Sequence, residues 1–300
     1  MKSVLRLTAI LLVAVFATTS CKKEYTEPDY GLSGFDFHLT TAIAQRTLNE
    51  SMAIQSGYKN QSEFYKLDTA SISSSMNADD SSLTITYNNT TDEYCLRNGS
   101  VTVSKNEVAR SSSATTCRIT FNNLQLTYLP SGNAYTLNGH IDVNNLDGGS
   151  FADLLNGTRS RYIQYNITTD NMQIQPKGEA NLQWTFDFAE VVQMKEDVLR
   201  LSLVGETLDG TDAKVICTGT DRYGQSFECT LSEKIASSRY CGISKASLGH
   251  ITLKAGSRNT DIKHSVDNNG APVGGDGCPY GTKITYTRDS ETKTIIVPYL

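Results

Sequence analysis

From Leu83 to the C-terminus the sequence repeats with a period of two, and that alternation constrains the fold more than any other feature. Residues 83–87, 100–104, 117–121 and 124–128 alternate cleanly between apolar and polar side chains, and 135–143, 161–168 and 172–175 follow more loosely. In 179–188, Ala180, Leu182, Trp184, Phe186 and Phe188 share one parity while Asn181, Gln183, Thr185 and Asp187 take the other. Further strands are expected over 198–205, 214–219, 225–232, 247–254, 282–287 and 292–298. Turn-forming pairs punctuate the pattern, among them Asn98-Gly99, Asn138-Gly139, Asp147-Gly148, Asn156-Gly157, Asp209-Gly210 and Asn269-Gly270. About a dozen short strands at this spacing leave no room for crossover helices, so the sheet is antiparallel. One polar face per strand means one buried and one wet face. The fold class is therefore all-β, an antiparallel meander or sandwich, with one N-terminal helix expected near 38–55, where Leu39, Ala42, Ile43, Ala53 and Ile54 form a rough stripe. The expected layout is one β-rich domain over 37–300; a division near 189–197 into two β subdomains is the alternative.

The first residues carry a different signal. Lys2 and Arg6 precede an apolar run over 7–17, the size of a secretory h-region and too short to cross a bilayer as a helix. Thr18, Thr19 and Ser20 then lead to Cys21. The reading is a signal peptide over 1–20, cleaved so that Cys21 becomes the lipidated N-terminus, followed by a polar tether over 21–36. The anchor resembles the lipobox of bacterial lipoproteins, although Thr18 stands where that family usually has leucine. Once Lys2 and Arg6 leave with the signal, 25 basic residues face 32 acidic ones, a formal charge of −7. That balance argues against nucleic acid as a partner.

Without Cys21 six cysteines remain: Cys95, Cys117, Cys217, Cys229, Cys241 and Cys278. An even number in an exported chain reads as disulfides, and no close Cys pair suggests a metal site. Cys217 and Cys229 are equidistant from Tyr223. Arg222-Tyr223-Gly224 then forms a three-residue hairpin loop with Gly224 at the left-handed position, which sets the two cysteines opposite each other. Cys95 with Cys117 is the next most local pairing, leaving Cys241 with Cys278.

Three segments carry a resemblance: Cys95-Leu-Arg-Asn-Gly-Ser-Val-Thr-Val103, Thr218-Gly-Thr-Asp-Arg-Tyr-Gly-Gln-Ser-Phe227 and Arg239-Tyr-Cys-Gly-Ile-Ser-Lys-Ala-Ser-Leu-Gly-His-Ile-Thr-Leu253. Together with Gly274-Gly-Asp-Gly-Cys-Pro-Tyr-Gly-Thr-Lys-Ile-Thr-Tyr286 they resemble uncharacterised β-rich lipoproteins of Bacteroidota. The resemblance implies a lipid-anchored outer-membrane protein and brings no activity with it.

Chemistry is sparse. His38, His140, His250 and His264 fall in four segments, and G-x-S-x-G, H-E-x-x-H and P-loop patterns do not occur. No catalytic residue, metal ligand or cofactor is assigned. Asp68-Thr69-Ala70 is similar to the Bacteroidota O-glycosylation sequon, which would place a glycan on Thr69; an ordinary loop is the alternative. Trp184 shares its face with Leu182 and Phe186, a core position. As a ligand contact it would stack a sugar among Asp187, Glu190, Glu206 and Asp209. Asp267-Asn-Asn-Gly270 offers oxygens in the manner of a calcium loop but lacks the glutamate six residues on, so a turn is expected. Tyr87, Tyr128, Tyr162, Tyr165, Tyr223, Tyr280 and Tyr286 are the aromatics expected at partly exposed positions. The leading expectation is a non-catalytic envelope module that binds a glycan or protein; a secreted polysaccharide hydrolase is the rival.

Overall fold

The computed structural model describes residues 72–299, apart from 78–81, 92–94, 106–115, 130–131, 150–152, 155–156, 158–161, 196–197, 206–212, 239, 243–244 and 275–276. The expected helix near 38–55, Cys21 and Thr69 lie outside the described residues.

The described chain is one antiparallel sheet of 14 strands. The first seven are β1 (Ile72–Met76), β2 (Ser82–Thr91), β3 (Cys95–Lys105), β4 (Thr116–Tyr128), β5 (Asn133–Asn145), β6 (Tyr162–Pro176) and β7 (Leu182–Lys195). They follow one another as a meander, each beside the next. After β7 come β8 (Val198–Val204), β9 (Lys214–Thr220), β10 (Ser226–Ser238), β11 (Ala246–Ala255), β12 (Arg258–Val266), β13 (Gly281–Arg288) and β14 (Glu291–Pro298). β8 and β9 share one lane. Ala189–Lys195 of β7 pair with β8, whereas Trp184–Phe186 pair with β9. β10 does the same from the other side, Ile235–Ser238 on β8 and Ser226–Leu231 on β9.

The inner faces of β2 to β14 contribute to one apolar cluster, from Leu83 and Ile85 to Tyr286 and Val297. Past Phe188, β7 loses its alternation because its outer-face residues Ala189 and Val191 are also buried, clustered with Val204 and Tyr162. Residues 189–195 thus end β7 and pair with β8 in the same sheet.

The strands are longer than the sequence pattern predicts, for a specific reason. Asn98-Gly99 and Asn138-Gly139 are not turns between strands. They lie inside β3 and β5, at bulges that cross the sheet in register. β2, β4 and β6 each carry two consecutive exposed residues there, Asn88-Asn89, Asn122-Asn123 and Asp170-Asn171, after which the buried parity switches. Asn89 and Asn123 adopt φ of 51° and 49°, and the glycines opposite adopt 114° and 111°. A Cβ on Gly99 would stand 2.5 Å from the Asn123 carbonyl oxygen, and one on Gly139 would stand 2.6 Å from that of Asn171. A bulge adds a residue to one strand and bends it. Five neighbouring strands therefore bend along one line, and the parity switch makes one strand read as two.

The hairpin around Tyr223 forms as expected. Gly224 has φ of 71°, and Cys217 stands opposite Cys229. The Asp221 carboxylate accepts bonds from the backbone N–H groups of Tyr223 and Gln225, both at 2.9 Å. Asp267 does the same for Asn269 and Ala271, so both turns are D-x-x-G-x loops with an identical bonding pattern.

Of the three expected disulfides, the structure contains Cys241–Cys278, with Cα atoms 5.2 Å apart. Cys95, Cys117, Cys217 and Cys229 are buried thiols. A Cys95–Cys117 bond conflicts with the register. Cys95 pairs with Tyr128 at one end of the β3–β4 ladder, and Cys117 pairs with Lys105 at the other. Ten residues of extended strand span about 33 Å, against the roughly 7 Å limit for a disulfide. Proximity in sequence misleads here because a long hairpin sends its two ends apart.

Candidate functional site

Two sets of loops close the ends of the sheet, and among the described residues the exposed aromatics Tyr223, Tyr240 and Tyr280 belong to them. At one end the β10–β11 and β12–β13 connections are joined by the Cys241–Cys278 disulfide. Tyr240 precedes Cys241 and is 74% exposed; Tyr280, two residues past Cys278, is 48% exposed. The Tyr280 backbone is fixed on both sides: its N–H donates to Val266 O at 2.9 Å, and its carbonyl accepts from the Tyr299 N–H at 3.0 Å. Tyr299 is itself buried. Its hydroxyl donates to Ala246 O at 2.7 Å and accepts from the Ser265 N–H at 2.9 Å. That second bond holds Ser265 at φ of 61°, within the β12 bulge. Burial pushes the Tyr299 phenol up to about 12, because the phenolate would lose its hydration. Beside it, Nδ1 of His264 lies 3.1 Å from the Thr282 hydroxyl. Two backbone hydrogen bonds thus hold Tyr280, while Tyr240 is tied to the same end through the neighbouring Cys241 disulfide.

At the opposite end the β9–β10 loop packs on the β11–β12 turn. Arg258 donates to the buried Asp221 carboxylate and, at 2.7 Å, to Oε1 of Gln225. Its guanidinium lies 4.4 Å from the Tyr223 ring centroid, and Tyr223 is half exposed. Arg222 donates to Glu179 at 2.6 Å, joining this loop to the β6–β7 turn. Arg258 thus covers a half-exposed ring whose backbone N–H is held by Asp221.

The other residues singled out in the sequence do not converge. Trp184 is 2% exposed, edge-on to Phe186 and Phe227 at 6.1 and 5.5 Å, and its indole N–H donates to Thr220 O. Buried there, it is a core residue and presents no face to a sugar. The indole fits because its register partner is Gly219, where a Cβ would come within 2.7 Å of its ring. Asp187 faces outward beside Lys214 at 3.5 Å, while Glu190 is 1% exposed on the inner face. Three residues apart on a strand, the two carboxylates leave opposite faces of β7. They do not flank one bond as a glycosidase pair must. Glu206 and Asp209 are outside the described residues.

His140 sits 3.7 Å from Asp142 and 3.8 Å from Asp170, with Asp142 gripped by two bonds from Arg118. His250 pairs with Asp261 across the β11–β12 ladder. These are cross-strand contacts on the wet face. Among the described residues, no three His, Cys, Asp or Glu side chains are placed to hold a metal ion. Asp267 spends its carboxylate on its own turn, so the Asp267–Gly270 segment is a hairpin loop.

Tyr87, Tyr128, Tyr165 and Tyr286 are buried, which corrects the expectation that they reach the surface. Tyr223 and Tyr280 do reach it. Tyr240 was missed: it lies outside any alternating segment, and its adjacency to a bridged cysteine in a turn was the available signal.

Neither the known protein families, nor the curated proteins, nor the solved structures include a match to this chain.

Proposed function

We propose that this protein is a lipid-anchored module of the cell envelope, held at the outer membrane through Cys21, whose β scaffold binds a glycan or protein partner and carries out no catalysis. One observation carries the binding part of this reading. Tyr240 and Tyr280 are exposed on loops that a disulfide and paired backbone hydrogen bonds hold in place. Tyrosine combines a large apolar ring with a hydroxyl and loses little entropy on contact, so rigid exposed tyrosines suit recognition of sugar rings or of a polar protein surface. A disulfide in the loops agrees with an oxidising, extracytoplasmic location. The secretory pattern before Cys21 and the resemblance to Bacteroidota lipoproteins support the anchor; a diacyl anchor supplies the two chains that stable attachment needs.

The test is a glycan array, with an envelope-protein pull-down in parallel, using the soluble mature chain and a Tyr240→Ala/Tyr280→Ala variant. Binding by the parent chain that the variant loses, with its fold intact by circular dichroism, is the expected result. Turnover of an envelope polysaccharide by the purified protein would overturn the non-catalytic reading.

A further inference from the structure

Of the four thiols among the described residues, only Cys217 and Cys229 are register partners. Cys95 stands opposite Tyr128, and Cys117 stands opposite Lys105 and Val143. Both Cys217 and Cys229 lie on the inner face, at 1% and 0% exposure, in a row that runs from Phe186 through the two cysteines to Leu253. Directly opposed residues in an antiparallel ladder have Cα atoms about 4.5 to 5.5 Å apart, within the span a disulfide accepts. A bulge begins at this pair, between Cys229 and Thr230, which loosens the ladder on one side. The Asp221–Gln225 turn sets the register locally, so the two sulfurs meet as soon as the hairpin forms.

The geometry points to a second, buried disulfide site: Cys217 and Cys229 join once the β9–β10 hairpin has formed but is still exposed to solvent, and closure of the core then seals the bond. The chemistry is thiol–disulfide exchange. One cysteine thiolate attacks a small disulfide such as oxidised glutathione, releasing one thiol and leaving a mixed disulfide. The second cysteine displaces the remaining thiol, so two protein thiols become one disulfide and the oxidant becomes two thiols. Timing follows from burial. In the closed sheet both thiols are out of water and their ionisation is pushed well above the usual thiol value, which removes the attacking thiolate. By contrast Cys278 is exposed and Cys241 half-buried, so that bond stays open to exchange. The protein would then exist as a dithiol or a disulfide form, set by the conditions of folding, that do not interconvert while folded.

The experiment is done on the purified chain. One sample is refolded from denaturant with oxidised and reduced glutathione. A second is folded under reducing conditions and only then given oxidised glutathione without denaturant. Both are unfolded, alkylated without reduction and digested with trypsin, which cuts after Arg222 and separates residues 215–222 from 223–234. The refolded sample should yield these two peptides linked, with Cys95 and Cys117 alkylated. The pre-folded sample should show Cys241–Cys278 joined while Cys217 and Cys229 take the alkylating label. Refolded protein that has formed Cys241–Cys278 yet carries label on both Cys217 and Cys229 would overturn the site. Equal oxidation of both pairs in the pre-folded sample would overturn the sealing. Neither outcome depends on what the protein binds.

Discussion

Tyr299 joins three parts of the chain through one hydroxyl: the C-terminus it belongs to, the start of β11 at Ala246 and the β12 bulge at Ser265. Tyr299→Phe leaves both backbone groups without that partner, and a buried unsatisfied group costs about 1–3 kcal/mol. Chemical denaturation should show a loss of that size. The same residue gives a pH signature. Its folded value, about 12, lies above the ordinary 10, so the folded state holds the proton more tightly. Its contribution is complete below pH 10 and is lost as pH rises through 12. Stability measured across that window should fall less steeply in Tyr299→Phe than in the parent. Trp184 gives the second residue-scale expectation. Removing a buried aromatic side chain costs about 3–5 kcal/mol, so Trp184→Ala should lower the denaturation midpoint without any specific effect on ligand binding.

At the scale of elements, the glycines separate into two kinds with different costs. Gly224 sits at φ of 71° in an open turn, with no atom within 4 Å of where a Cβ would stand. Gly224→Ala should therefore lose only the left-handed backbone preference, about 1–2 kcal/mol. Gly139 has positive φ and a carbonyl oxygen 2.6 Å from where a Cβ would lie. Gly139→Ala should cost more, about 2–4 kcal/mol, by adding overpacking to backbone strain. Urea denaturation of the two variants side by side checks the order. This difference also explains what the sequence showed of the strands. The D-x-x-G-x loops could be read directly, because a turn is a local object whose residues satisfy one another. Asn98-Gly99 and Asn138-Gly139 have the same letters as a turn, yet their role depends on the strand lying beside them. Gly219 is similar: only the structure shows that it makes room for Trp184.

For the whole molecule, the Cys241–Cys278 disulfide closes a loop over a separation of 37 residues. Bonds of this kind contribute about 2–4 kcal/mol. Reduction should lower the unfolding midpoint and broaden the NMR signals of Tyr240 and Tyr280 before the core opens. The anchor proposed at Cys21 predicts that Cys21→Ser leaves the protein unlipidated, either released from the membrane fraction or with its signal uncleaved, as read by lipid labelling and fractionation. The sequence by itself determined the all-β class, the antiparallel sheet, the inner parity of most strands and the Tyr223 hairpin. Period, turn residues and short-range hydrogen bonding act between residues close along the chain, so they are written locally. The tertiary structure alone decided the aligned bulges, the shared lane of β8 and β9, the separation of Cys95 from Cys117 and which tyrosines reach water. Each of those depends on which strand lies alongside which, and a long hairpin places sequence neighbours far apart while bringing distant residues into register. Trp184 and Tyr240 mark the difference: both are aromatic, and only packing sends one into the core and leaves the other on a loop.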